Sequence, residues 1–138
     1  MYRKLEEAGY QVGRRLIERY VGDKERLAER LEVIKFLCRT FWKEVFLKHV
    51  DKLQTNHKVG CDGTVTPNHK TSPPAQGVFV LQDSDFQPLR HLSAPEGEDT
   101  KQVALKYLIY PGGVIRGALA GLGLDCIVNA DTTTLPAC

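Results

Sequence analysis

The side chains best suited to metal binding lie in one segment of low regularity. His57, Cys61 and His69 are three potential zinc ligands. A zinc site normally takes four ligands from closely spaced pairs, and only His57 and Cys61 form even a loose pair here. Solvated loop residues are therefore the favoured interpretation, and we predict no metal and no other cofactor.

The sequence gives equally little support for a catalytic site. Cys38 falls on an apolar helical stripe, where burial would raise the pKa of its thiol and suppress its reactivity. His49 and Asp51 are two residues apart, and that spacing alone does not define an acid–base pair. The sequence contains no G-x-S-x-G motif. We therefore predict that the chain is not an enzyme and has no catalytic residues.

A run of glycines near the C-terminal end favours packing over phosphate binding. Gly112, Gly113 and Gly117 match neither G-x-G-x-x-G nor G-x-x-x-x-G-K-[ST], and they fall within an apolar helical segment. Gly113, Gly117 and Gly121 recur every four residues, so they would line a groove that admits another backbone. Arg116 is a lone cation in this segment and must reach water or a carboxylate, so we interpret it as a structural anchor.

Length and charge set the broad class. The chain has 138 residues, 42% apolar and 26% charged, which suits one globular domain. A net charge of +2 does not suggest a nucleic-acid binder. Residues 1–58 nevertheless carry 14 basic and nine acidic side chains. An acidic partner, an anionic membrane surface and a solvated helix face all fit this excess, and the solvated face is the simplest.

The sequence predicts a cytosolic protein. No stretch reaches the roughly 18 apolar residues of a membrane span, and the N-terminus lacks the apolar core of a signal peptide. The four cysteines form no C-x-x-C pair and no dense framework. We expect a reducing compartment, with the cysteines mostly free and Cys38 buried.

The first predicted helix spans residues 3–20, where apolar residues recur every three or four positions. Gly9 and Gly13 lie four apart within it and each costs about 1 kcal/mol of helix stability relative to Ala. Two interpretations remain open: the glycines admit another helix at close range, or they merely weaken an exposed helix. Gly22 suits the end of this helix.

A second helix is predicted from Lys24 to Lys48, with Asp23 as its N-cap. Its apolar side is wider than one stripe. A surface helix needs only one buried stripe, so this helix contacts either its own core alone or its core and a second chain. The stripe comprises Leu27, Leu31, Ile34, Cys38, Phe41 and Val45.

The remaining pattern favours an α+β fold, with helices packed on one face of a small antiparallel sheet. A third, mostly buried helix over residues 101–122 has Tyr107 among its lining residues, and Pro111 should kink it or delay its regular part to Gly112. The loop 59–76 is predicted to be a flexible insertion in a single domain 1–138. The predicted strands cover 50–57, 78–81, 86–92 (after a hairpin turn at 82–85) and 124–130.

Several strings in combination resemble one family. FLC-x-x-FW, TNH with VLQD, and IRGAL-x-x-LG are specific together, and the match covers nearly the whole chain outside 59–76. The chain resembles the small subunits of the transport protein particle (TRAPP), in the six / thirty-three-kilodalton branch of the Bet-three-like superfamily. The strings are GYQVGRRLIERY, LEVIKFLCRTFWKEVF, VDKLQTNHK, GVFVLQD, KYLIYPGGVIRGALAGLGLDCIVNA and LPAC.

The resemblance implies a structural role. It implies helices against a four-stranded antiparallel sheet, and heterodimerisation with a Bet-three-like subunit through the long helices. It also implies membership, with other TRAPP subunits, of a complex that tethers vesicles and exchanges nucleotide on a Rab-type GTPase in endoplasmic-reticulum-to-Golgi transport. The exchange chemistry is supplied mainly by other subunits, and the complex associates peripherally with cis-Golgi and endoplasmic-reticulum membranes.

The expected partner interface lies on the first two helices. Docking of a Bet-three-like subunit there would bury apolar side chains that a chain of this size cannot hide alone. An alternative function is a sensor domain on a related scaffold, with a small apolar ligand held between the helices and the sheet; the Gly113/Gly117/Gly121 groove could line such a pocket, although filling by neighbouring backbone is the favoured interpretation. The predicted interface residues are Leu5, Gly9, Val12, Leu16, Leu27, Leu31, Ile34 and Phe41.

Three departures from the family stand out. Family members carry a further helix before the one that holds Gly9 and a strand after the LPAC string, and we expect the fold to lack both. An unpaired sheet edge would be prone to association. The third departure is the insertion 59–76. Its end residues, Val59 and Gln76, are compatible with a translated retained intron, a hypothesis that sequencing of the transcript would test.

Overall fold

The computed structural model describes residues 2–22, 29–56, 78–97 and 99–132. Within these ranges, helices precede and follow two consecutive strands. Their order is α1 (Tyr2–Val21), α2 (Arg30–Phe36), a π-helical segment (Leu37–Phe41), α3 (Trp42–Phe46), β1 (Lys52–Asn56), β2 (Val78–Gln82), a 3-10 turn (Gln87–Leu89) and α4 (Thr100–Gly121).

Helices α1 and α4 pack closely through glycines of both helices. A methyl group built on Gly13 would lie 2.7 Å from the carbonyl carbon of Val114 and closer still to its oxygen. One built on Gly117 would lie 2.8 Å from the carbonyl carbon of Tyr10. The two main chains are therefore in direct contact. The glycines do admit another helix at close range, and the predicted groove is filled by backbone.

The two helices run parallel. Gly9 lies against Tyr110 and Gly13 against Val114, so the contacts advance in the same direction along both chains. Helix α1 ends at Gly22, whose φ of +51° is readily adopted only without a Cβ. The predicted first helix and its terminator are thus confirmed.

The predicted second helix is present from Arg30 to Phe46, interrupted by the π-helical segment. Its first part, including Asp23 and Leu27, lies outside the described residues. The helix ends two residues before the predicted Lys48, because Leu47 adopts the left-handed conformation (φ 60°, ψ 20°). A β-carbon is disfavoured there by about 1–2 kcal/mol.

Replacing Leu47 with Gly is therefore expected to stabilise the chain. The Leu47 side chain is 72% exposed, so its removal loses little packing, and the strain is relieved. We expect the free energy of unfolding to rise by about 0.5–1 kcal/mol, as measured by urea denaturation. Lys43→Gly, inside α3, should lower it by about 1 kcal/mol. Equal destabilisation by both substitutions would contradict the assignment of strain to Leu47.

The sheet has two strands within the described residues. Strands β1 and β2 pair antiparallel, with Lys52 opposite Gln82 and Asn56 opposite Val78. On β2, Phe79 and Leu81 pack against the core, whereas Val80 on the other face is 40% exposed. Helices thus cover one face of an antiparallel sheet, and the predicted α+β class is confirmed.

Two predicted strands are wrong. Residues 86–92 contain the 3-10 turn rather than a return strand, because Phe86 and Leu89, three residues apart, both point into the core. Pro88 also lacks the N–H that a strand ladder needs. Residues 124–130 adopt no regular structure, and Ile127 is 88% exposed. No described strand lies alongside this segment to pair with it.

The core has two adjoining parts. One joins α1, α2, the π-helical segment and α4, and it buries Cys38, whose thiol pKa is raised by this burial to about 11. The other packs Trp42 and Phe46 of α3, together with Phe86 before the 3-10 turn, against α4.

Helix α4 is continuous from Thr100 to Gly121 with Pro111 inside it, so the predicted delay of its regular part to Gly112 is wrong.

A buried carboxylate ties the end of β2 to α3. Asp83, 2% exposed, accepts hydrogen bonds from Trp42 Nε1 (3.1 Å), Lys48 Nζ (2.8 Å) and the Asp85 N–H (3.0 Å). Lys48 also contacts Asp51 at 2.9 Å. Hydrogen bonds from Lys48 and then from Ser84 hold the pKa of the Asp51 carboxyl well below its usual range. The network is fully paired, so it acts as a structural clamp.

Candidate interaction surface

Helix α1 leaves apolar side chains uncovered beside its contact with α4. Leu5 and Val12 are 41% and 38% exposed, and Tyr2 is 51% exposed. Leu5 and Val12 lie one turn to either side of Gly9, which is itself buried against α4. They therefore border the helix pair instead of lying between its members.

Helix α4 continues this exposed surface. Tyr107 is 57% and Tyr110 37% exposed, so the prediction that Tyr107 lines a buried side is wrong. Gly9 rests on the main chain of Tyr110, and the helices run parallel, so the turn that carries Leu5 lies beside the turn that carries the two tyrosines. We call this surface the apolar flank. It comprises Tyr2, Leu5, Val12, Tyr107 and Tyr110.

The opposite side of the same helix pair is polar and paired. Arg116 Nη1 lies 2.8 Å from Glu6 Oε1, and the guanidinium carbon lies 4.9 Å from the centroid of the Tyr10 ring. The interpretation of Arg116 as an anchor is thus confirmed. A small cleft of about 230 Å³ borders it, below the usual size of a ligand pocket. Its lining residues are Tyr10, Arg116, Ala120, Asp125 and Cys126.

Comparison with known proteins now decides the family. The model of the transport protein particle (TRAPP) component family matches residues 1–137. The chain belongs to the TRAPP component family. The resemblance seen in the sequence is thereby confirmed, and the chain is a small TRAPP subunit.

Individual TRAPP relatives are similar over nearly all of the chain. Human trafficking protein particle complex subunit 6B is 40% identical over 135 residues, which is 98% of this chain and 73% of the relative. Subunit 6b of Danio rerio shows the same identity and coverage. Human subunit 6A is 37% identical over 134 residues, covering 97% of this chain and 72% of the relative.

The interface residues predicted for this TRAPP subunit fall into different environments. Leu5 and Val12 belong to the apolar flank, and Leu16 and Leu31 are half-buried. Leu27 lies outside the described residues. The other three are buried by their own chain, so a partner does not reach them in this conformation. They are Gly9, Ile34 and Phe41.

Sequence reasoning missed the two tyrosines of α4. The spacing of Tyr107 and Tyr110 fits a buried helix side. Only their residue type indicated that they could lie at an interface. Tyrosine combines an apolar ring with a polar tip and is enriched at interfaces where one end stays wet. Tyr107 and Tyr110 stand three residues apart on α4, directly after Lys106, which is exposed. Both rings are therefore exposed on the part of α4 that lies beside the N-terminal half of α1.

The ligand groove and the acid–base pair considered from the sequence are not formed by the described residues of this TRAPP subunit. The glycine groove that could have lined an apolar-ligand pocket is occupied by α1, which leaves no space along Gly113 and Gly117. Asp51 is bound by Lys48 and Ser84, and His49 is exposed.

Neither a cluster of metal ligands nor a membrane-spanning helix is found among the described residues. Within residues 2–22, 29–56, 78–97 and 99–132, no three His, Cys, Asp or Glu side chains converge as metal ligands. His57, Cys61 and His69 lie outside these ranges, so the interpretation of them as solvated loop residues stays a prediction. Among the described helices, none combines the length and apolar character that a bilayer span requires.

Proposed function

We propose that this TRAPP-family chain is a non-catalytic assembly subunit that heterodimerises with a Bet-three-like subunit through the apolar flank. The partner would cover Leu5 and Val12 on α1 together with Tyr107 and Tyr110 on α4. Within the complex, nucleotide exchange on a Rab-type GTPase belongs to other subunits. The chain contributes to that activity only by holding the assembly together.

The observation that carries this proposal is the exposure of the apolar flank. Five large apolar or aromatic side chains on the packed helices α1 and α4 are between 37% and 57% exposed. The glycine side of α1 is already used within the chain, so these residues gain no further cover from their own helices. Tyrosine is enriched and charge is depleted at the centres of protein interfaces, which is the composition seen here.

The titratable groups that sequence analysis considered for catalysis support a structural role. Cys38 is buried with its thiol pKa raised to about 11, so little reactive thiolate forms near neutral pH. Lys48, Asp51 and Asp83 are engaged with one another in the clamp beside α3. These groups serve packing and pairing in the same chain.

The family supplies the cellular setting of the proposal. The relatives carry the name of a trafficking protein particle complex. We infer that the assembled complex acts in endoplasmic-reticulum-to-Golgi transport, on the cytoplasmic side of these membranes. Membrane association is then peripheral and belongs to the complex.

Leu5→Asp is expected to weaken complex formation with the Bet-three-like subunit. The substitution places a charge at the centre of the apolar flank, where desolvation of an unpaired carboxylate is costly. Size-exclusion chromatography of the mixed proteins measures the effect. We expect stoichiometric co-elution of the wild-type chain and a loss of affinity of more than about tenfold for the variant.

Leu47→Asp is the matched control. Leu47 is also an exposed leucine, at 72%, but it lies after α3 and outside the apolar flank. Asp tolerates the left-handed conformation of this position. Co-elution should therefore persist. Complex formation by Leu5→Asp at wild-type affinity, or equal loss in both variants, would contradict the proposed interface.

A further inference from the structure

Basic side chains border the apolar flank along α1. Lys4 and Arg15 are eleven residues apart, three helical turns, so they lie in one row on the helix surface. Arg15 is three residues after Val12 and four before Arg19, which makes all three surface neighbours. We call Lys4, Arg15 and Arg19 the basic edge. It lies directly beside the exposed apolar side of α1.

Helix α4 adds to the same charge. Lys106 is exposed and stands four residues before Tyr110, hence next to it on the helix surface. Helices α1 and α4 together carry eight basic and three acidic side chains, and all three acidic ones belong to α1. The two helices that carry the surface assigned to partner binding therefore have an excess of five basic side chains.

Within the described residues, no ion pair joins an acidic side chain of α1 to the basic edge. Glu6 is paired with Arg116 on the opposite side of the helix pair. Glu7 accepts a hydrogen bond from Gln11 Nε2 at 3.0 Å. Within the described part of the chain, Lys4, Arg15, Arg19 and Lys106 form no ion pair. Their charge is available to a neighbour.

We propose that the partner surface that covers the apolar flank is itself apolar at its centre and bordered by aspartate or glutamate side chains that face the basic edge. This inference rests on the proposed function and adds the chemistry of the partner. Complementary charge around an apolar centre speeds association and selects among related partners. Several subunits of one family could offer apolar surfaces, so charge would distinguish the correct one.

The geometry favours a protein over an anionic membrane as the occupant. A helix that lies in a membrane surface needs a broad apolar side for burial among lipids. The broadest small and apolar side of α1, with Gly9, Gly13 and Ile17, is already buried inside the chain. The apolar side chains that remain exposed belong to two parallel helices, α1 and α4. A folded protein with a complementary shape can cover side chains on both helices at once.

The test reverses charge on the basic edge. Lys4→Glu/Arg15→Glu is compared with the wild-type full chain in binding the Bet-three-like subunit, by stopped-flow measurement at low and high ionic strength. We expect the association rate to fall at least about tenfold at low salt. High salt should slow the wild-type chain and remove most of the difference, because screening weakens charge steering.

The control is a second double variant on the same helix, Arg3→Glu/Arg14→Glu. These two arginines are also eleven residues apart and exposed, but they lie next to Tyr10 on the opposite side of the helix pair. The change in net charge is the same. We expect the rate to stay within about twofold of wild type. Circular dichroism of both variants checks that helix content is retained.

The outcomes separate the two proposals. A wild-type complex whose association is insensitive to salt, or equally slowed by both double variants, overturns the acidic partner and leaves the proposed function standing. A wild-type chain that forms no complex refutes both. Sedimentation with vesicles of phosphatidylserine and phosphatidylcholine is the second readout. Loss of vesicle binding in Lys4→Glu/Arg15→Glu, with unchanged partner association, would assign the edge to a membrane and overturn the proposal.

Discussion

Replacing Gly113 with Ala should lower the free energy of unfolding by about 3 kcal/mol, at the upper end of the usual cost of overpacking. The added methyl group would lie 3.1 Å from the carbonyl carbon of Glu6 and closer to its oxygen. These are main-chain atoms of α1, which move only if the whole helix moves. The substitution must therefore separate α1 from α4, and urea denaturation measures the loss.

Gly112→Ala is the control, one residue earlier on the same helix. A methyl group at Gly112 meets no atom within 4 Å, so it adds helix propensity without a clash. The free energy of unfolding should rise by up to about 1 kcal/mol. The two neighbouring substitutions thus have opposite signs. A neutral Gly113→Ala would show that the two main chains are not in contact in solution.

The two helices, though not their pairing with each other, could be predicted from the sequence because the causes of helix formation are local. Apolar residues at helical spacing define α1 and α4, and glycines four apart on each helix indicate a close contact. The sequence left open whether Gly9 and Gly13 packed or weakened the helix. That choice depends on whether a second row of small residues lies opposite, and Gly113 and Gly117 supply it.

The strand predictions failed where pairing decides the structure. Residues 124–130 have the composition of a strand, yet a strand exists only with a neighbour to bond to. Residues 86–92 were misread because Phe86 and Leu89 are apolar at a spacing of three, which suits a tight helical turn. The alternation that a half-buried strand requires is absent there. Non-local pairing is not encoded in short patterns.

The predicted interface residues differ in exposure, and their contact with a partner stays a prediction. Leu5 and Val12 were identified as contact residues, and both are exposed. Ile34 and Phe41 share the same apolar periodicity, yet they are buried by their own chain. An apolar stripe indicates that one side of a helix is covered. It does not indicate whether the chain's own core or a partner covers it. Only the packed structure separates the residues that its own core covers from those left for a partner.

Asp83→Ala should lower the free energy of unfolding by about 3 kcal/mol, because it removes the centre of the clamp between α3 and β2. Trp42 Nε1 would lose its acceptor inside the core, and Lys48 would keep only Asp51. An unsatisfied buried donor bears its full desolvation cost. Urea denaturation measures the stability, and the fluorescence of Trp42, the chain's one tryptophan, should change with the loss of its hydrogen bond.

Asp85→Ala is the comparison that isolates burial as the cause. Asp85 also pairs with a cation, Arg90, but both side chains are more than 40% exposed. Water replaces such a surface partner, so we expect stability to change little. Asp83→Asn should fall between the two alanine variants, since it keeps an oxygen that can accept from Trp42 and loses the charge that holds Lys48. Equal effects of Asp83→Ala and Asp85→Ala would show that the clamp contributes no more than a surface ion pair, and that β2 is held to α3 by Phe86 and its apolar neighbours.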